Sequence, residues 1–257
     1  MRAVVLGSGS RGNALVVESG AHRVLLDAGF SCRQLELRMA AVGIDPTTLG
    51  ALVLTHEHSD HVKGARVFAK RHGLPVYATA GTLGAVELPT PGRVIRSGER
   101  MAVAGFEIVP FAIPHDAREP VGVVVEDGAG QRLGLAADLG SRTKLAWQRL
   151  QELDILVLET NHDLEMLRSG PYPWVLKQRV AGRHGHLSNH EAAEGIPELV
   201  CDRLRQVALY HLSQTNNLPA LAAAAVGETL EKIGCGATVT VTRQDEPSPW
   251  LEASTRR

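Results

Sequence analysis

Three imidazoles and the Asp60 carboxylate fall within six consecutive positions, His56-Glu57-His58-Ser59-Asp60-His61, one residue after the apolar run Ala51-Leu52-Val53-Leu54. Neutral imidazole nitrogen and carboxylate oxygen suit zinc, manganese or iron, and ligands this densely placed can serve two adjacent ions. A helix-capping loop would use Asp60 but has no need of the histidines. Later apolar runs also end in metal-capable residues: His115 in Ile113-Pro114-His115-Asp116, Asp138 after Leu133-Gly134-Leu135-Ala136-Ala137, and His211 after Val207-Ala208-Leu209-Tyr210. Glu57 invites comparison with the helical His-Glu-x-x-His metalloprotease signature. The run at a strand exit fits that poorly.

The elements that must position these residues are read from periodicity and turn residues. Strands are expected at 3–6, 14–18, 23–26, 52–55, 75–78, 107–109, 121–125, 132–136, 155–159 and 237–242. Helices are expected from Ser31 toward Val42, from the histidine cluster to about Arg71, and over 82–88, 144–152, 191–199 and 218–232. The loop Gly7-Ser8-Gly9-Ser10-Arg11-Gly12-Asn13 lacks the Gly-Lys-Ser/Thr ending of a nucleotide-binding loop and precedes a strand, so it reads as a tight rim connection with Asn13 anchoring a turn. Residues from Asp245 to Arg257 read as an edge extension or a frayed end. Strands in two sets with helices between them predict a layered α/β body.

Composition narrows the class. A chain of 257 residues, 44% apolar, can build one large core, and a single domain over 1–257 is expected. A formal charge of -1 argues against coating nucleic acid through overall charge but permits a local basic groove. Cys32, Cys201 and Cys235 are odd in number and far apart, which suits buried apolar thiols in a reducing compartment. No apolar run reaches the roughly 18 residues of a membrane span. Residues 1–6 lead into glycines rather than through a signal peptide, so the expected compartment is the cytoplasm, with no membrane partner.

The His-x-His-x-Asp-His run, together with His115, Asp138 and His211, resembles the metallo-β-lactamase-fold superfamily of metallohydrolases over essentially the whole chain. The resemblance implies a four-layer αββα sandwich with the site at the edge between its central sheets. It further implies that His56, His58 and His115 hold one ion, that Asp60, His61 and His211 hold a second, and that Asp138 bridges them. Such a pair of divalent ions, zinc or manganese with iron as a third option, activates water and stabilises developing charge, with Asp60 orienting the nucleophile. His115 sits in Pro-His-Asp where the family commonly has Gly-His-Thr. A narrower resemblance is to the bacterial YycJ/WalJ-like branch, carried by the 7–13 loop, Pro114-His115-Asp116-Ala117, Glu159-Thr160-Asn161-His162-Asp163 and Gly185-His186-Leu187-Ser188-Asn189. That branch is associated with phosphodiester hydrolysis and in some cases with DNA exonuclease activity, which implies DNA or another phosphodiester as partner. No inserted nucleic-acid clamping domain is evident, which makes long structured RNA a less attractive substrate; the oligomeric state stays open.

A second polar group could carry substrate chemistry. His186 is a candidate to contact phosphate or protonate a leaving group, with His162 and His184 nearby and with Ser188 and Asn189 binding phosphate or orienting the loop. Against that, Ser188 followed by Glu191 fits a capping box. Lys177, Arg179 and Arg183 form a positive run that could attract a phosphate backbone or be an ordinary solvated loop. Tyr172 and Trp174 could stack on a base, although the flanking prolines favour a packed turn. Hydrolysis of a thioester or lactone is the enzymatic alternative, and a metal-stabilised regulatory binding protein without turnover is the non-enzymatic one.

Overall fold

The structure, a computed structural model, describes residues 1–253. Valine- and leucine-rich runs cut by glycine turns form the strands β1 (Arg2–Gly7), β2 (Ala14–Ser19), β3 (His22–Leu26), β4 (Ala51–Val53), β5 (Val76–Ala78) and β6 (Arg93–Val94). These are followed by β7 (Met101–Val103), β8 (Phe106–Ala112), β9 (Val121–Glu126), β10 (Arg132–Ala136), β11 (Ile155–Glu159), β12 (Gln206–Tyr210), β13 (Thr238–Val241) and β14 (Leu251–Glu252). They assemble into two seven-stranded sheets, ordered β14-β1-β2-β3-β4-β5-β6 and β7-β8-β9-β10-β11-β12-β13. Read in that direction, each sheet has three antiparallel pairings and then three parallel ones. The repeat is one of topology and is invisible as a sequence period.

Alternation along each strand divides the interior into three apolar layers. Val5, Leu15, Val17 and Leu26 of the first sheet meet Ile108, Val123, Leu135 and Val157 of the second. Their sequence neighbours point away: Val4, Val16 and Leu25 pack under helices with Leu35, Met39 and Phe68, and Leu156, Leu158 and Val207 pack under helices with Trp147, Ile196 and Val226. The order helix, sheet, sheet, helix is the expected αββα sandwich. With both faces covered, the strands read as continuous apolar runs. No helix is long and apolar enough to cross a membrane among the described residues.

Several expected boundaries move, each for a local reason. The helix after the histidine cluster is broken into Ser59–Val62 and Ala65–His72, because the Gly64 amide turns to the Ala28 carbonyl at 2.8 Å, in a close approach that a Cβ, 2.0 Å from the Phe30 carbonyl oxygen, would prevent. The helix expected over 82–88 runs instead from Ala80 to Leu83, started by the Thr79 side chain accepting from the Thr82 amide. The helix expected over 191–199 is Asn189–Gly195, continued as a 3-10 turn at Ile196–Glu198. The C-terminal extension is an edge strand, with β14 antiparallel to β1; positions 254–257 lie outside the described residues.

The turn after β3 locks the first sheet to the histidine segment. The Asn13 amide donates to the Asp60 carbonyl at 2.8 Å, Ala28 to His61 at 2.7 Å, and Gly29 to Asn13 at 2.9 Å. A Cβ on Gly29 would stand 1.7 Å from the Asp60 carbonyl oxygen, so only glycine allows this approach. Gly29→Ala is therefore expected to cost about 3 kcal/mol or more in urea unfolding, whereas Gly128→Ala, whose Cβ would meet no atom within 4 Å, stays within about 0.5 kcal/mol of the parent.

Candidate metal centre

Seven side chains leave the carboxyl ends of strands in the two sheets and converge on one place. His56, His58, Asp60 and His61 follow β4, His115 follows β8, Asp138 follows β10 and His211 follows β12. Three residues at these exits, Asp27 (φ 60°), Asp138 (φ 52°) and His211 (φ 58°), adopt the left-handed conformation that L side chains rarely take. Each such turn costs about 1 kcal/mol or more and persists because the surroundings fix it.

The ligand atoms fall into overlapping groups within reach of one ion each: His56, His58 and His115; Asp60, His61 and His211; and His56, His61 and Asp138, which links the first two. The Nε2 of His115 faces Nδ1 of His58 at 3.2 Å, the Nε2 of His61 lies 2.8 Å from Asp138 Oδ2, and the Nε2 of His211 lies 3.2 Å from Asp60 Oδ2. Four of the histidines have their other ring nitrogen held from behind. Nδ1 of His56 meets the Thr55 hydroxyl at 3.0 Å, that of His61 meets Asp27 at 2.7 Å, that of His115 meets the Gly185 carbonyl at 3.2 Å, and that of His211 meets Glu159 at 3.0 Å. Outer partners of this kind fix the ring orientation and leave Nε2 facing the site.

Asp27 and Glu159, together with Asn13, are the parts that sequence reasoning missed. Asp27 also accepts from the Thr55 amide at 2.8 Å, and Glu159 accepts from the Leu139 amide at 2.7 Å and the Leu187 amide at 3.1 Å. Asn13 anchors its turn through Gly9 as expected, but its Nδ2 also reaches Asp60 Oδ2 at 3.2 Å. The available signal was a carboxylate placed directly at the end of an apolar strand, as in Ile155-Leu156-Val157-Leu158-Glu159.

Asp27, Asp60, Asp138 and Glu159 crowd this region, and among the described residues no lysine or arginine pairs with any of them. Burial opposes ionisation of Asp138, yet His211 and His61 hold its carboxyl well below the usual range. Burial likewise disfavours the His211 cation, but Asp138, Asp60 and Glu159 push its pKa up to about 10. Burial keeps His56 neutral, its pKa falling well below that of free imidazole, with His61 adding to the effect. One buried atom aimed into the site, His56 Nε2, makes no hydrogen bond within the described residues, and Asp138 Oδ2 is faced only by the His61 ring at 2.8 Å. Excess carboxylate charge, neutral imidazole at His56 and an unpaired inward donor atom fit divalent cations. A separate group, Cys32, Glu36 and His72, differs because Arg71 caps Glu36 at 3.0 and 3.1 Å and supplies the cation itself.

The second polar group divides. His186 enters the centre, with Nδ1 2.8 Å from Glu159 and 3.4 Å from Asp138. His162 is buried and its ring nitrogens have no partner. Ser188 and Asn189, expected at phosphate, are used by the fold: Ser188 forms a full capping box with Glu191, and Asn189 exchanges hydrogen bonds with Asn217 at 2.8 and 2.9 Å. Glu57 is likewise occupied, accepting from the Arg118 amide at 2.7 Å. Arg179 pairs with Asp116, the neighbour of His115, at 2.6 Å, Lys177 donates to the Arg168 carbonyl at 2.7 Å, and Arg183 and His184 are exposed. Trp174 is 69% exposed, which corrects the expectation of a packed turn.

Residues 22–212 match the β-lactamase superfamily domain. The chain is 35% identical over 238 residues to the exodeoxyribonuclease YycJ of Bacillus anthracis, covering 90% of each chain. It is 33% identical over 228 residues to the exodeoxyribonuclease WalJ of Streptococcus pneumoniae, covering 85% of this chain and 84% of that one. Among solved structures, the metallo-β-lactamase fold protein YhfI of Bacillus subtilis superposes with a TM-score of 0.75 at 17% identity, over 98% of this chain and all of that one (100%). The paired sheets, the convergent strand exits and these likenesses agree: the chain belongs to the metallo-β-lactamase superfamily, with YycJ and WalJ among its relatives.

Proposed function

We propose that this protein is a metal-dependent phosphodiester hydrolase acting on DNA as an exonuclease. The observation that carries the reading is the pair of histidine groups joined through Asp138, with His56 Nε2 buried and unpaired between them among the described residues. Relatives that align over most of their length and are called exodeoxyribonucleases support DNA as the substrate. His56, His58 and His115 would hold one divalent ion, Asp60, His61 and His211 the other, and Asp138 would join them. Such ions, when bound, lower the pKa of water and offset charge gained by phosphoryl oxygens.

The chain's own groups do the rest. Asp27 and Glu159 hold His61 and His211 in the tautomer that presents Nε2, and Asn13 keeps Asp60 turned inward. His186 gives its Nδ1 to Glu159, so a proton carried on Nε2 is the one free to pass to the departing oxygen. Lys177 and Arg183 would draw the phosphate backbone toward the rim, with the exposed His184 flanking it. The apolar layer shared by both sheets supports a single hydrolase domain without a nucleic-acid clamping insertion, and three free cysteines suit the cytoplasm.

The test is metal content followed by zinc- and manganese-dependent turnover of single-stranded DNA, duplex DNA, RNA, a small phosphodiester and a thioester. Near-stoichiometric binding of two ions with DNA hydrolysis, reduced about 10³-fold in Asp138→Ala, is expected. Turnover of the thioester alone would replace this reading with acyl hydrolysis. Two further variants separate roles: His186→Ala should lower kcat about 10²-fold with metal retained. Glu159→Gln should weaken metal binding about tenfold or more, measured by competition with a chromogenic chelator.

A further inference from the structure

The chain leaves the second sheet at Asn161-His162 and returns at Leu187-Ser188, and the two ends are tied together. The Asn161 amide donates to the Leu187 carbonyl at 2.9 Å, the Asn189 amide donates to the His162 carbonyl at 2.8 Å, and His162 and Ser188 form an isolated bridge. Residues 163–186 are therefore an excursion that starts and finishes at the centre. It holds the helices Leu164–Ser169 and Trp174–Val180. Its return limb is fixed to the site wall: Arg179 pairs with Asp116 at 2.6 Å, the His186 amide donates to the Val180 carbonyl at 2.9 Å, and the Gly185 carbonyl holds His115.

This excursion carries the two most exposed large apolar side chains among the described residues, Trp174 at 69% and Val175 at 77%. An exposed valine is ordinary, but an indole left in water on a braced element leaves a large apolar face unused. The Trp174 ring makes no hydrogen bond, ring contact or cation contact within the described residues. Two cations on the same excursion, Lys177 and Arg183, have no carboxylate partner there, whereas Arg168 pairs with Glu165 and Arg179 with Asp116. An exposed aromatic face on the same excursion as cations not neutralised by a carboxylate is the combination that binds single-stranded nucleic acid, by base stacking and phosphate attraction together.

We propose that Trp174 is a stacking platform for an unpaired base of the substrate strand, a few nucleotides from the phosphate being cut. The inference rests on the phosphodiesterase reading and deepens it by naming a substrate subsite. Six helical steps separate Trp174 from Val180, whose carbonyl holds His186, a span of roughly 9 Å at about 1.5 Å per residue. That span keeps the platform within a short stretch of strand from the return limb that carries His186. Trp174 acts on polymer binding and touches none of the ligand groups.

The experiment compares the parent protein with Trp174→Ala and Trp174→Phe. Binding is read by anisotropy of a fluorescent phosphorothioate-linked single strand, which resists hydrolysis, and of the matching blunt duplex. Turnover is read as the ratio of kcat/KM on a single-stranded oligonucleotide to that on a small phosphodiester. Trp174→Ala should weaken single-strand binding about tenfold and lower the turnover ratio about as much, while Trp174→Phe, which keeps a stacking face, retains most of both. Unchanged affinity in Trp174→Ala would overturn the proposal while leaving the hydrolase reading intact, as would equal losses on single strand and blunt duplex. Loss of a dimer with oligonucleotide binding intact would assign the surface to a second copy of the chain. Turnover of the small phosphodiester by a parent that binds no oligonucleotide would sink the platform and the DNA assignment but spare phosphodiester hydrolysis.

Discussion

Four carboxylates, those of Asp27, Asp60, Asp138 and Glu159, are brought together where the ends of two sheets meet, and among the described residues no lysine or arginine pairs with them. Buried negative charge without a partner is among the costliest arrangements a fold can hold. Two consequences are visible. The charged forms of His61 and His211 are favoured although burial opposes it, and the Thr55 and Leu139 amides and the His61 and His211 rings turn toward carboxylate oxygens. A demand for cations is thus built into the fold, and it explains why the neighbouring Cys32–Glu36–His72 group, which has Arg71, is a different kind of cluster.

The repeated pairing pattern of the two sheets explains how such a site can be assembled at all. Asp27 after β3 and Asp138 after β10 occupy equivalent positions, at the last strand before the parallel half of each sheet, and both turn with positive φ. Each half also contributes an outer carboxylate with a histidine on it: Asp27 for His61 in the first, Glu159 for His211 in the second. Neither half holds a complete ligand set. The inter-sheet layer formed by Val5, Leu26, Val123 and Leu135 therefore does more than bury apolar area, because its packing sets the distance between ligands drawn from different sheets. This is why the tight Gly29 approach to Asp60 matters: it is the point where one sheet's turn fixes the histidine segment in place.

How much of this could be read from the chain depends on how local each cause is. The His56 to His61 run is six residues long, so its spacing alone declared metal chemistry, and His115, Asp138 and His211 were legible because each ends an apolar run. The outer partners were not legible, since Asp27 is 34 positions from His61 and Glu159 is 52 from His211, and only the fold pairs them. Ser188 shows the reverse case. The capping rule already visible in the sequence accounts for the Ser188–Glu191 contacts, whereas Asn189 meets Asn217, 28 positions away, a partner that only the fold supplies. The break at Gly64 was hidden for a similar reason, because the Gly64 hydrogen bond to Ala28 and the close approach to Phe30 belong to tertiary packing rather than to helix propensity.

The excursion over 163–186 links substrate contact to the ligands mechanically. Its return limb supplies the Gly185 carbonyl that orients His115, carries His186 against Glu159, and is pinned through Arg179 to Asp116 beside His115. Gly140 packs directly beneath it, where a Cβ would come within 2.5 Å of the Arg183 carbonyl oxygen and 2.6 Å of the Gly185 amide. Asp138 is two positions from that contact. A strand pulling on this limb would therefore load the wall that sets His115 and Asp138, whereas His56 and His61, braced by Thr55 and Asp27, would hold still. Polymer engagement and ligand geometry share the same few hydrogen bonds on one side of the centre and are separate on the other.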